Sequence, residues 1–433
     1  MSQPMADAAR SAASVLFNLP EYEVIEVAGD HMGGRRVTIA TRARAAACPG
    51  CGVLSGRVHQ RTAQRVRDVP FDGLIEVVWI KKRWRCGDAG CVRATFTEHT
   101  VQIPTRARLT TRLKEAITRA VAGEVRAVDR VATEFGVSWP TVQRQITAAA
   151  LALATARGHR PRLVAQLGID EHRFRSVRWF KNDVGSWQRV EPWMTTFVDL
   201  GNGEVLDVVD GRDSAAVSTW LAGQPRWWRR RVQVVAIDPS AAFRSAVRRW
   251  LPKAHVSVDH FHLVKLGNDM LTGVRRRVSW DTRGRRGRGT DLAWAHRLLL
   301  LRGYDTLSER GRARLDEVLN RDDPTREIAA AWGVKEQLRI LLQTRTLPDA
   351  VAARARFDQY VTWAQMTETT RLNKTIHAWW PQIETFIQTR ATNAKTEAAN
   401  VTIKNIKRTG RGYRSPANYR SRIMLYNATL SAA

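Results

Sequence analysis

RRVQVVAID, residues 230–238, is the stretch that decides the fold of this chain. Two arginines precede a short apolar run, which is interrupted once by Gln233 and ends at the carboxylate of Asp238. Short runs of apolar and β-branched residues, roughly four to eight long, are typical of strands that are covered on both faces of a sheet. The stretch therefore predicts a buried strand that ends at Asp238.

The segments on either side of this strand alternate between strand and helix patterns. Upstream lie an apolar run that ends in Asp170 and Glu171, a hairpin around residues 201–203, and a helix after Asp213. Their sequences, with the two downstream segments, are LVAQLGIDEHRF (163–174), EPWMTTFVDL (191–200), GEVLDVVDG (203–211), SAAVSTWLAG (214–223), the helix AAFRSAVRRWLP (241–252) and the strand AHVSVDHFHL (254–263). This β-β-β-α-β-α-β order is that of the RNase-H-like fold, so we predict a multidomain α/β protein that contains such a domain.

Carboxylates at the strand ends predict a metal site. In such a sheet the first strand is central and the fourth lies beside it, so Asp170 and Asp238 are expected to be neighbours. Adjacent carboxylates repel each other unless cations neutralise them, which suits Mg²⁺ or Mn²⁺. Asp259 is the alternative second carboxylate, but it lies one strand further from Asp170, and Asp238 is preferred. His260 and His262 are either metal ligands, substrate contacts or residues packed near the site.

A third carboxylate is expected from a later helix, TNAKTEAANVTIKNIKRTGRGY (392–413). Glu397, Asn400 and Lys404 lie at helical spacing on one face of it. A third acidic group would complete a two-metal site, in which one ion activates the attacking oxygen and the other stabilises the leaving oxygen. Lys404 and Lys407 would then direct positive charge toward a nucleic-acid backbone near the site.

The charge of the chain indicates a polyanionic partner. Its 433 residues contain 70 Lys and Arg against 41 Asp and Glu, a formal net charge of +29. Basic side chains that neutralise phosphates release condensed counterions, so nucleic acid is the expected partner. The sequence has no run of about eighteen apolar residues, so it predicts no membrane helix. Its N-terminus lacks the pattern of a signal peptide. We therefore expect a cytoplasmic protein that does not bind a membrane.

The four cysteines predict one local metal site. Cys48 and Cys51 form one close pair and Cys86 and Cys91 another, and the chain has no other cysteine. Two such pairs can place four thiolates at the corners of a tetrahedron, which is the geometry of a structural Zn²⁺ site. The region between them reads as a hairpin with a turn at residues 72–73, and the whole resembles a zinc ribbon.

A second DNA-binding signal follows in RAVDRVATEFGVSWPTVQRQI (126–146). Apolar residues at helical spacing, a turn at Gly136 and a second apolar helix face form the pattern of a helix-turn-helix, whose second helix enters the major groove. Ser138 can cap that second helix. Gln and Arg side chains can read adenine and guanine edges. The predicted DNA-binding residues are Ser138, Thr141, Gln143 and Arg144, together with Lys404 and Lys407.

These signals predict three domains in chain order. Residues 1–105 form a zinc-binding domain and residues 106–160 a helix-turn-helix domain. Residues 161–433 form the RNase-H-like domain, with a helical insertion over about 267–390. The length of the chain suits this division, since domains commonly contain roughly 100–200 residues.

Motifs along nearly the whole chain resemble the ISL-three family of bacterial insertion-sequence transposases. They are Cys48-Pro-Gly-Cys51 with Arg83-Trp84-Arg85-Cys86, Leu167-Gly-Ile-Asp-Glu171, Val235-Ala-Ile-Asp-Pro-Ser240, Val258-Asp-His-Phe-His262, Glu397-Ala-Ala-Asn400, and Lys404 with the following Arg-Gly-Tyr. The resemblance implies a DDE transposase with Asp170, Asp238 and Glu397 as catalytic metal ligands. It also implies binding to terminal inverted repeats, cleavage of the element ends and strand transfer into target DNA.

Two other functions remain as alternatives. A DNA-binding regulator derived from a transposase would keep the zinc module and the helix-turn-helix but would lose one of the carboxylates. A plain RNase-H-like nuclease would not need two N-terminal DNA-binding modules. All three carboxylates are present, which favours the enzyme. Because a transposase must join two DNA ends, we also expect a dimer or higher oligomer.

Overall fold

The computed structural model describes residues 11–29, 33–159 and 162–432, and the chain divides into two compact units. The first unit comprises Met1–Ala156 and Arg408–Ala433, and the second comprises Arg157–Lys407. The predicted boundary between residues 160 and 161 lies outside the described residues.

The first unit begins with a helix and seven strands. These are α1 (Ala12–Phe17), β1 (Tyr22–Gly29), β2 (Arg35–Thr41), β3 (Ala46–Ala47), β4 (Leu54–Ser55), β5 (Val58–Asp68), β6 (Ile75–Arg85) and β7 (Thr95–Thr97). The main sheet has the order β1-β2-β6-β5, with β7 paired to β6, and β3 pairs with β4. The β5–β6 hairpin turns through Asp72 and Gly73, both at positive φ, as the sequence predicted. Ile39, Val77 and Trp79 are fully buried beneath the sheet.

A helical bundle completes this unit. Its elements are α2 (Thr111–Thr118), a single π-helical turn (Arg119–Gly123), α3 (Val128–Glu134) and α4 (Trp139–His159). Gly136 adopts φ +61° in the turn between α3 and α4, a conformation that costs glycine little. Val131, Val142 and Ile146 are buried between the helices. This is the helix-turn-helix that the apolar spacing predicted.

The second unit is built on a five-stranded sheet flanked by helices. Its first elements are β8 (Gln166–Arg173), β9 (Arg178–Lys181), β10 (Trp187–Val190), β11 (Trp193–Asp199), β12 (Val205–Asp210), α5 (Ser214–Gly223), α6 (Arg226–Arg231), β13 (Val234–Ile237), α7 (Ala241–Trp250) and β14 (His255–Val258). The sheet order is β12-β11-β8-β13-β14, while β9 and β10 form a separate two-stranded ribbon. Strand β13 runs parallel to both β8 and β14. The predicted RNase-H-like order is therefore confirmed, with β8 in the centre.

Helices fill the chain after β14. They are α8 (His260–Arg283), α9 (Leu292–Ala295), α10 (Arg297–Leu300), a 3₁₀ turn (Tyr304–Thr306), α11 (Glu309–Arg321), α12 (Glu327–Gln343), α13 (Leu347–Ala364), α14 (Thr367–Ala378), α15 (Trp380–Thr389), α16 (Ala394–Thr409) and α17 (Pro416–Ala432). Helices α8 to α15 form the predicted helical insertion. Helix α17 belongs to the first unit, where it packs on the π-helical turn.

One sequence prediction is wrong in this region. Residues 254–263 were assigned to a strand with Asp259 at its end; β14 does end next to Asp259, at Val258, but residues 260–263 belong to helix α8. Asp259 is the N-cap residue between them, with extended backbone dihedrals. The change of direction places His262 on the first turn of a helix, where it faces back toward the end of the sheet.

Candidate functional site

Two aspartates lie where the parallel ladder between the central strands β8 and β13 ends. Ile169 pairs with Ile237 in the parallel β8–β13 ladder, and the next residues are Asp170 and Asp238. Parallel strands present corresponding residues at the same edge of a sheet, so the two carboxylates emerge side by side. The structure therefore brings together the two aspartates that strand order predicted to be neighbours.

Burial makes these carboxylates costly to ionise. The pKa of Asp238 is raised to about 7, first by burial and next by the charge of Asp170. Burial likewise raises the pKa of Asp170, although Asn400 and the Glu171 amide donate hydrogen bonds to it. A divalent cation would remove this repulsion, and carboxylate oxygens are the ligands that Mg²⁺ and Mn²⁺ prefer. The residues present therefore fit such an ion.

Asp259 and His262 adjoin this pair. His262 Nε2 lies 3.0 Å from Asp238 Oδ2, and His262 Nδ1 lies 3.0 Å from Asp259 Oδ2. One ligand atom from each of these three residues lies within 4.8 Å of the others, a spacing that suits a metal ion. The hydrogen bond that His262 donates to the Asp259 carboxylate raises the pKa of His262. This cluster therefore consists of Asp238, one of the predicted metal ligands, with Asp259 and His262, which the sequence analysis kept as alternatives.

Helix α16 begins against the central strand. A Cβ on Gly168 would lie 2.0 Å from Thr396 Oγ1 and 2.7 Å from Leu200 Cδ2, so only glycine allows this approach. The Asn393 amide just before the helix donates to the Ile169 carbonyl at 3.1 Å and to Asp238 Oδ1 at 3.2 Å. The absence of a side chain at one strand position therefore sets the start of the helix close to the acidic pair.

This docking places Glu397 in the first turn of α16 beside the same charges. Its pKa is raised by burial and then by the charge of Asp259, with a further contribution from Asp170. One turn later, Asn400 is buried, donates to Asp170 Oδ2 at 2.7 Å and accepts from the Thr196 hydroxyl at 2.8 Å. The candidate triad of Asp170, Asp238 and Glu397 thus shares one electrostatic environment.

Two lysines on α16 add positive charge to this edge. Lys404 is exposed, and its charge lowers the pKa of Asp170. Lys407 is half-buried and donates to the Arg173 carbonyl at 2.8 Å. The pKa of the buried His172 is lowered to about 3, first by burial and next by Lys407 and Lys404. One exposed and one half-buried cation therefore accompany the buried carboxylates, an arrangement that suits a polyanionic substrate.

Sequence reasoning did not assign the polar residues that hold the site together. Asn393, His172 and Thr196 were not singled out, and Asn400 was noted only for its helical spacing. His172 Nδ1 lies 3.0 Å from Thr196 Oγ1, which continues the chain of hydrogen bonds from Asp170 through Asn400. A local signal for two of them was present in the sequence. Asn393 and Asn400 lie on either side of Glu397, within the segment 392–413 that predicted the third carboxylate.

The four cysteines converge as a tetrahedral zinc site requires. All four Sγ atoms lie within 4.8 Å of one another, with 3.9 Å between Cys48 and Cys91 and 3.5 Å between Cys51 and Cys86. Tetrahedral Zn–S bonds of about 2.3 Å place sulfurs about 3.8 Å apart, so the set fits zinc. Backbone N–H groups of Gly50 and Cys51 lower the pKa of Cys48 to about 7, whereas burial and the neighbouring thiols raise the pKa of Cys86 and Cys91. Four adjacent thiolates therefore require a cation to balance their charge.

The four predicted DNA-reading residues occupy the first two turns of α4 or directly precede it. Ser138 and Arg144 are exposed, and Thr141 and Gln143 are half-buried. The hydroxyl of Ser138 lies 2.9 Å from that of Thr141, and Arg144 Nε donates to the Pro140 carbonyl at 3.3 Å. This end of the helix therefore presents several hydrogen-bonding groups to its surroundings.

Within the part of the chain that the structure describes, no helix has the length and apolar character needed to cross a lipid bilayer.

The fold and the acidic site together define a class, that of RNase-H-like proteins with a carboxylate site, and comparison with known proteins identifies the family. A model of the ISL3-type DDE transposases matches residues 167–423, which is more than half of the chain. A model described as the zinc-finger of transposase IS204/IS1001/IS1096/IS1165 matches residues 44–91, and one described as the helix-turn-helix domain of transposase family ISL3 matches residues 98–150.

The chain is also similar to the transposase for insertion sequence element IS1001 of Bordetella parapertussis. The two are 25% identical over 392 residues, which cover 88% of this chain and 89% of the relative. The chain therefore belongs to the ISL3 family of transposases, and the resemblance drawn from its motifs is confirmed. Its helix-turn-helix and transposase domains indicate DNA binding, its family implies a divalent metal, and its cysteines indicate structural zinc.

Proposed function

We propose that this protein binds the terminal inverted repeats of its insertion sequence, cleaves the DNA at the element ends and joins those ends to target DNA by metal-dependent phosphoryl transfer. The observation that carries this proposal is the placement of Asp170, Asp238 and Glu397. Asp170 lies in β8, Asp238 directly follows the parallel strand β13, and Glu397 lies in a helix that approaches the central strand at Gly168. Membership of the family supports the same activity.

In this proposal the three carboxylates hold Mg²⁺ or Mn²⁺. When bound, the metal supplies a Lewis acid that polarises the scissile phosphate and neutralises charge on the attacking and leaving oxygens. Asp170 and Asp238 are oriented for this task by the amides of Asn400 and Asn393. His262 holds the second oxygen of Asp238 in place, and Asp259 orients the His262 ring. Lys404 and Lys407 position the DNA backbone beside the carboxylates.

Recognition of the ends is assigned to the first two predicted domains, residues 1–105 and 106–160. The zinc ribbon has a structural role, because four thiolates leave no open position on the ion. Ser138, Thr141, Gln143 and Arg144 would contact DNA from α4. Residues 161–433 contain the catalytic machinery. Since two ends must be joined, the active species is a homo-oligomer that holds both ends together.

The test is a cleavage assay on a supercoiled plasmid that carries the element's own ends, with Mg²⁺. The wild type is expected to nick at the ends, and Asp170→Asn, Asp238→Asn and Glu397→Gln should each abolish nicking while binding to the ends persists. Lys265→Gln serves as the control, because Lys265 is exposed and pairs with Asp269 on α8.

Two outcomes would contradict the proposal. Nicking that survives in Asp238→Asn but is lost in Asp259→Asn would move the second carboxylate to the end of β14. Specific binding of the ends by a wild-type protein that never cleaves them would identify a DNA-binding regulator instead.

A further inference from the structure

The ribbon of β9 and β10 stands apart from the main sheet, and the described residues assign it no place in the catalytic cluster. Its two strands pair only with each other in the sheet topology, and all eight of their residues are exposed. Trp179, Phe180 and Trp187 are among them, with 57%, 51% and 63% of their surfaces accessible. Large aromatic surfaces left in solvent commonly mark binding sites.

One face of this ribbon alternates aromatic rings with cations. Residues two apart on a strand, and residues directly opposite on paired strands, project from the same face. Trp179 is opposite Arg189, and Lys181 is opposite Trp187. The Lys181 ammonium lies 5.4 Å from the centre of the Trp187 ring. We call these four residues, Trp179, Lys181, Trp187 and Arg189, the ribbon face.

The opposite face has a different composition, which makes it a natural comparison. It carries Arg178, Phe180, Gln188 and Val190. Only one residue there is aromatic and only one is charged. The alternation of indoles with cations is therefore a property of the ribbon face and not of the ribbon as a whole.

The ribbon is joined to the sheet at the edge where the acidic site lies. It connects β8 to β11, and Asp170 pairs with Thr196 in that antiparallel ladder. Both residues are three positions from the ends that lead to the ribbon, which corresponds to about 10 Å of strand. DNA that reaches the carboxylates therefore passes close to the base of the ribbon.

Further cations lie between Asp170 and the ribbon. The guanidinium groups of Arg173 and Arg212 stand over the Trp193 ring, at 5.0 Å and 4.5 Å from its centre. Arg212 also lies 3.9 Å from Glu171, next to Asp170. Positive charge thus continues from the acidic site to the ribbon, as a phosphate backbone would require.

We propose that the ribbon face binds unpaired bases of the DNA strand next to the phosphodiester that is cleaved. This inference rests on the proposed function. An indole can stack only on a base whose face is accessible, and bases inside a duplex are covered on both faces by their neighbours. Lys181 and Arg189 would contact the flanking phosphates. Arg189 also pairs with Glu191 at 2.5 Å, so its remaining N–H groups would make that contact.

A second copy of this chain is a poorer occupant of the same face. Two ribbon faces brought together would place four cations in one interface, and like charges in contact oppose association. Single-stranded DNA suits this face better, because its phosphates neutralise the two cations and its unpaired bases can stack on the two indoles.

The experiment measures the affinity of the full-length protein for two fluorescein-labelled probes without added divalent metal, a 20-nucleotide oligo-dT and a 20-base-pair duplex without element ends. Trp179→Ala/Trp187→Ala should weaken oligo-dT binding by about tenfold or more, because stacking on one aromatic ring is worth about 1–3 kcal/mol per base. Duplex binding through the helix-turn-helix should be unchanged, because the bases of a duplex offer no free face on which the indoles could stack. Phe180→Ala/Val190→Ala, on the opposite face, is the matched control and should change neither affinity.

A charge variant examines the second half of the proposal. Lys181→Ala/Arg189→Ala should reduce the slope of log affinity against log salt for oligo-dT by about 1.4, since each single-strand phosphate contact contributes about 0.7. Unchanged oligo-dT affinity in Trp179→Ala/Trp187→Ala, or an equal loss in the Phe180→Ala/Val190→Ala control, would overturn the proposal. A change of oligomeric state in sedimentation without a change in DNA affinity would also overturn it, in favour of self-association.

A cleavage arm separates this proposal from the proposed function. If the ribbon face holds unpaired bases, Trp179→Ala/Trp187→Ala should cleave fully paired ends at least about tenfold more slowly than wild type, and a substrate already unpaired at the cleavage site should restore most of the rate. A wild type that cleaves neither substrate would contradict the proposed function alone, because the oligo-dT affinities do not depend on catalysis.

Discussion

The thiols of the zinc ribbon come from two short segments, Cys48–Cys51 and Cys86–Cys91, whereas the acidic site gathers side chains from four separate elements of the second unit. One pair of cysteines lies between β3 and β4 and the other between β6 and β7, and the β5–β6 hairpin joins the two segments. The carboxylates are adjacent only because β8, β13, the start of α8 and α16 pack together. The two sites should therefore affect the free energy of unfolding in opposite ways. Zinc bound to four thiolates should stabilise its domain, whereas the adjacent buried carboxylates should destabilise the second unit until a cation neutralises them.

Removal of one zinc ligand should have the largest effect. Cys86→Ser is expected to abolish zinc binding and unfold the ribbon, because structural zinc contributes on the order of 10 kcal/mol in zinc-finger peptides. Metal analysis should find one zinc per wild-type chain and none in the variant. Val92→Ala, at a fully exposed neighbour of Cys91, is the control and should keep its zinc. A folded, zinc-free Cys86→Ser ribbon would remove the contrast between the two sites.

A side chain at Gly168 should disable the acidic site and spare the ribbon. Gly168→Val is expected to displace α16, since the added Cβ would meet Thr396 and Leu200, and a shift of about 1 Å can cost about 100-fold in rate. End cleavage should fall by that factor or more while zinc content is unchanged. Gly223→Ala is the control, because its Cβ would meet nothing within 4 Å. Full activity in Gly168→Val would show that the helix start need not approach the strand.

Loss of the amide that orients Asp170 should have a smaller effect. Asn400→Ala removes the 2.7 Å hydrogen bond to Asp170, and partners of metal-binding residues commonly contribute about 10–100-fold to affinity or activity. We expect a higher Mg²⁺ concentration for half-maximal cleavage and a rate reduced within that range. Val401→Ala, at the next and exposed position of α16, should behave as wild type. An unchanged Mg²⁺ dependence would mean that Asn400 does not orient the carboxylate.

The smallest effect is expected for Asp238→Asn, which should raise the stability of the protein, whereas the zinc-ligand variant Cys86→Ser should lower it. Asp238 has a folded pKa of about 7 against an ordinary value of 3.8, so the folded state binds more protons between about pH 4 and 7. The contribution of this group to stability therefore falls as the pH rises through that window. Without divalent metal, Asp238→Asn should unfold at a temperature higher than wild type by about 2 °C or more at pH 8.

At pH 5 this difference should shrink, because wild-type Asp238 is then largely protonated. Added Mg²⁺ should stabilise the wild type more than the variant, since only the wild type offers this carboxylate to the ion. Thermal unfolding followed by circular dichroism at both pH values tests the sign. A wild type that is more stable than Asp238→Asn at pH 8 without metal would contradict the view that this site opposes folding.

Much of this protein could be predicted from its sequence, because the signals were local. The spacing of Cys48, Cys51, Cys86 and Cys91 predicted their convergence, and apolar periodicity predicted the helix-turn-helix. The apolar run that ends at Asp238 predicted the strand that adjoins β8. Each of these signals lies within one or two neighbouring elements, whose backbone geometry determines where the side chains lie.

Only the tertiary structure decided how the elements meet. His262 faces Asp238 because the chain changes from strand to helix at Asp259. The sequence does not reveal this change, since a short apolar run is compatible with either a strand or a buried helix. Asn400 reached Asp170 across 230 residues of sequence, through a helix position that depends on the bare backbone of Gly168. Periodicity describes single elements, whereas such contacts depend on the packing of many elements at once, and no local pattern contains that information.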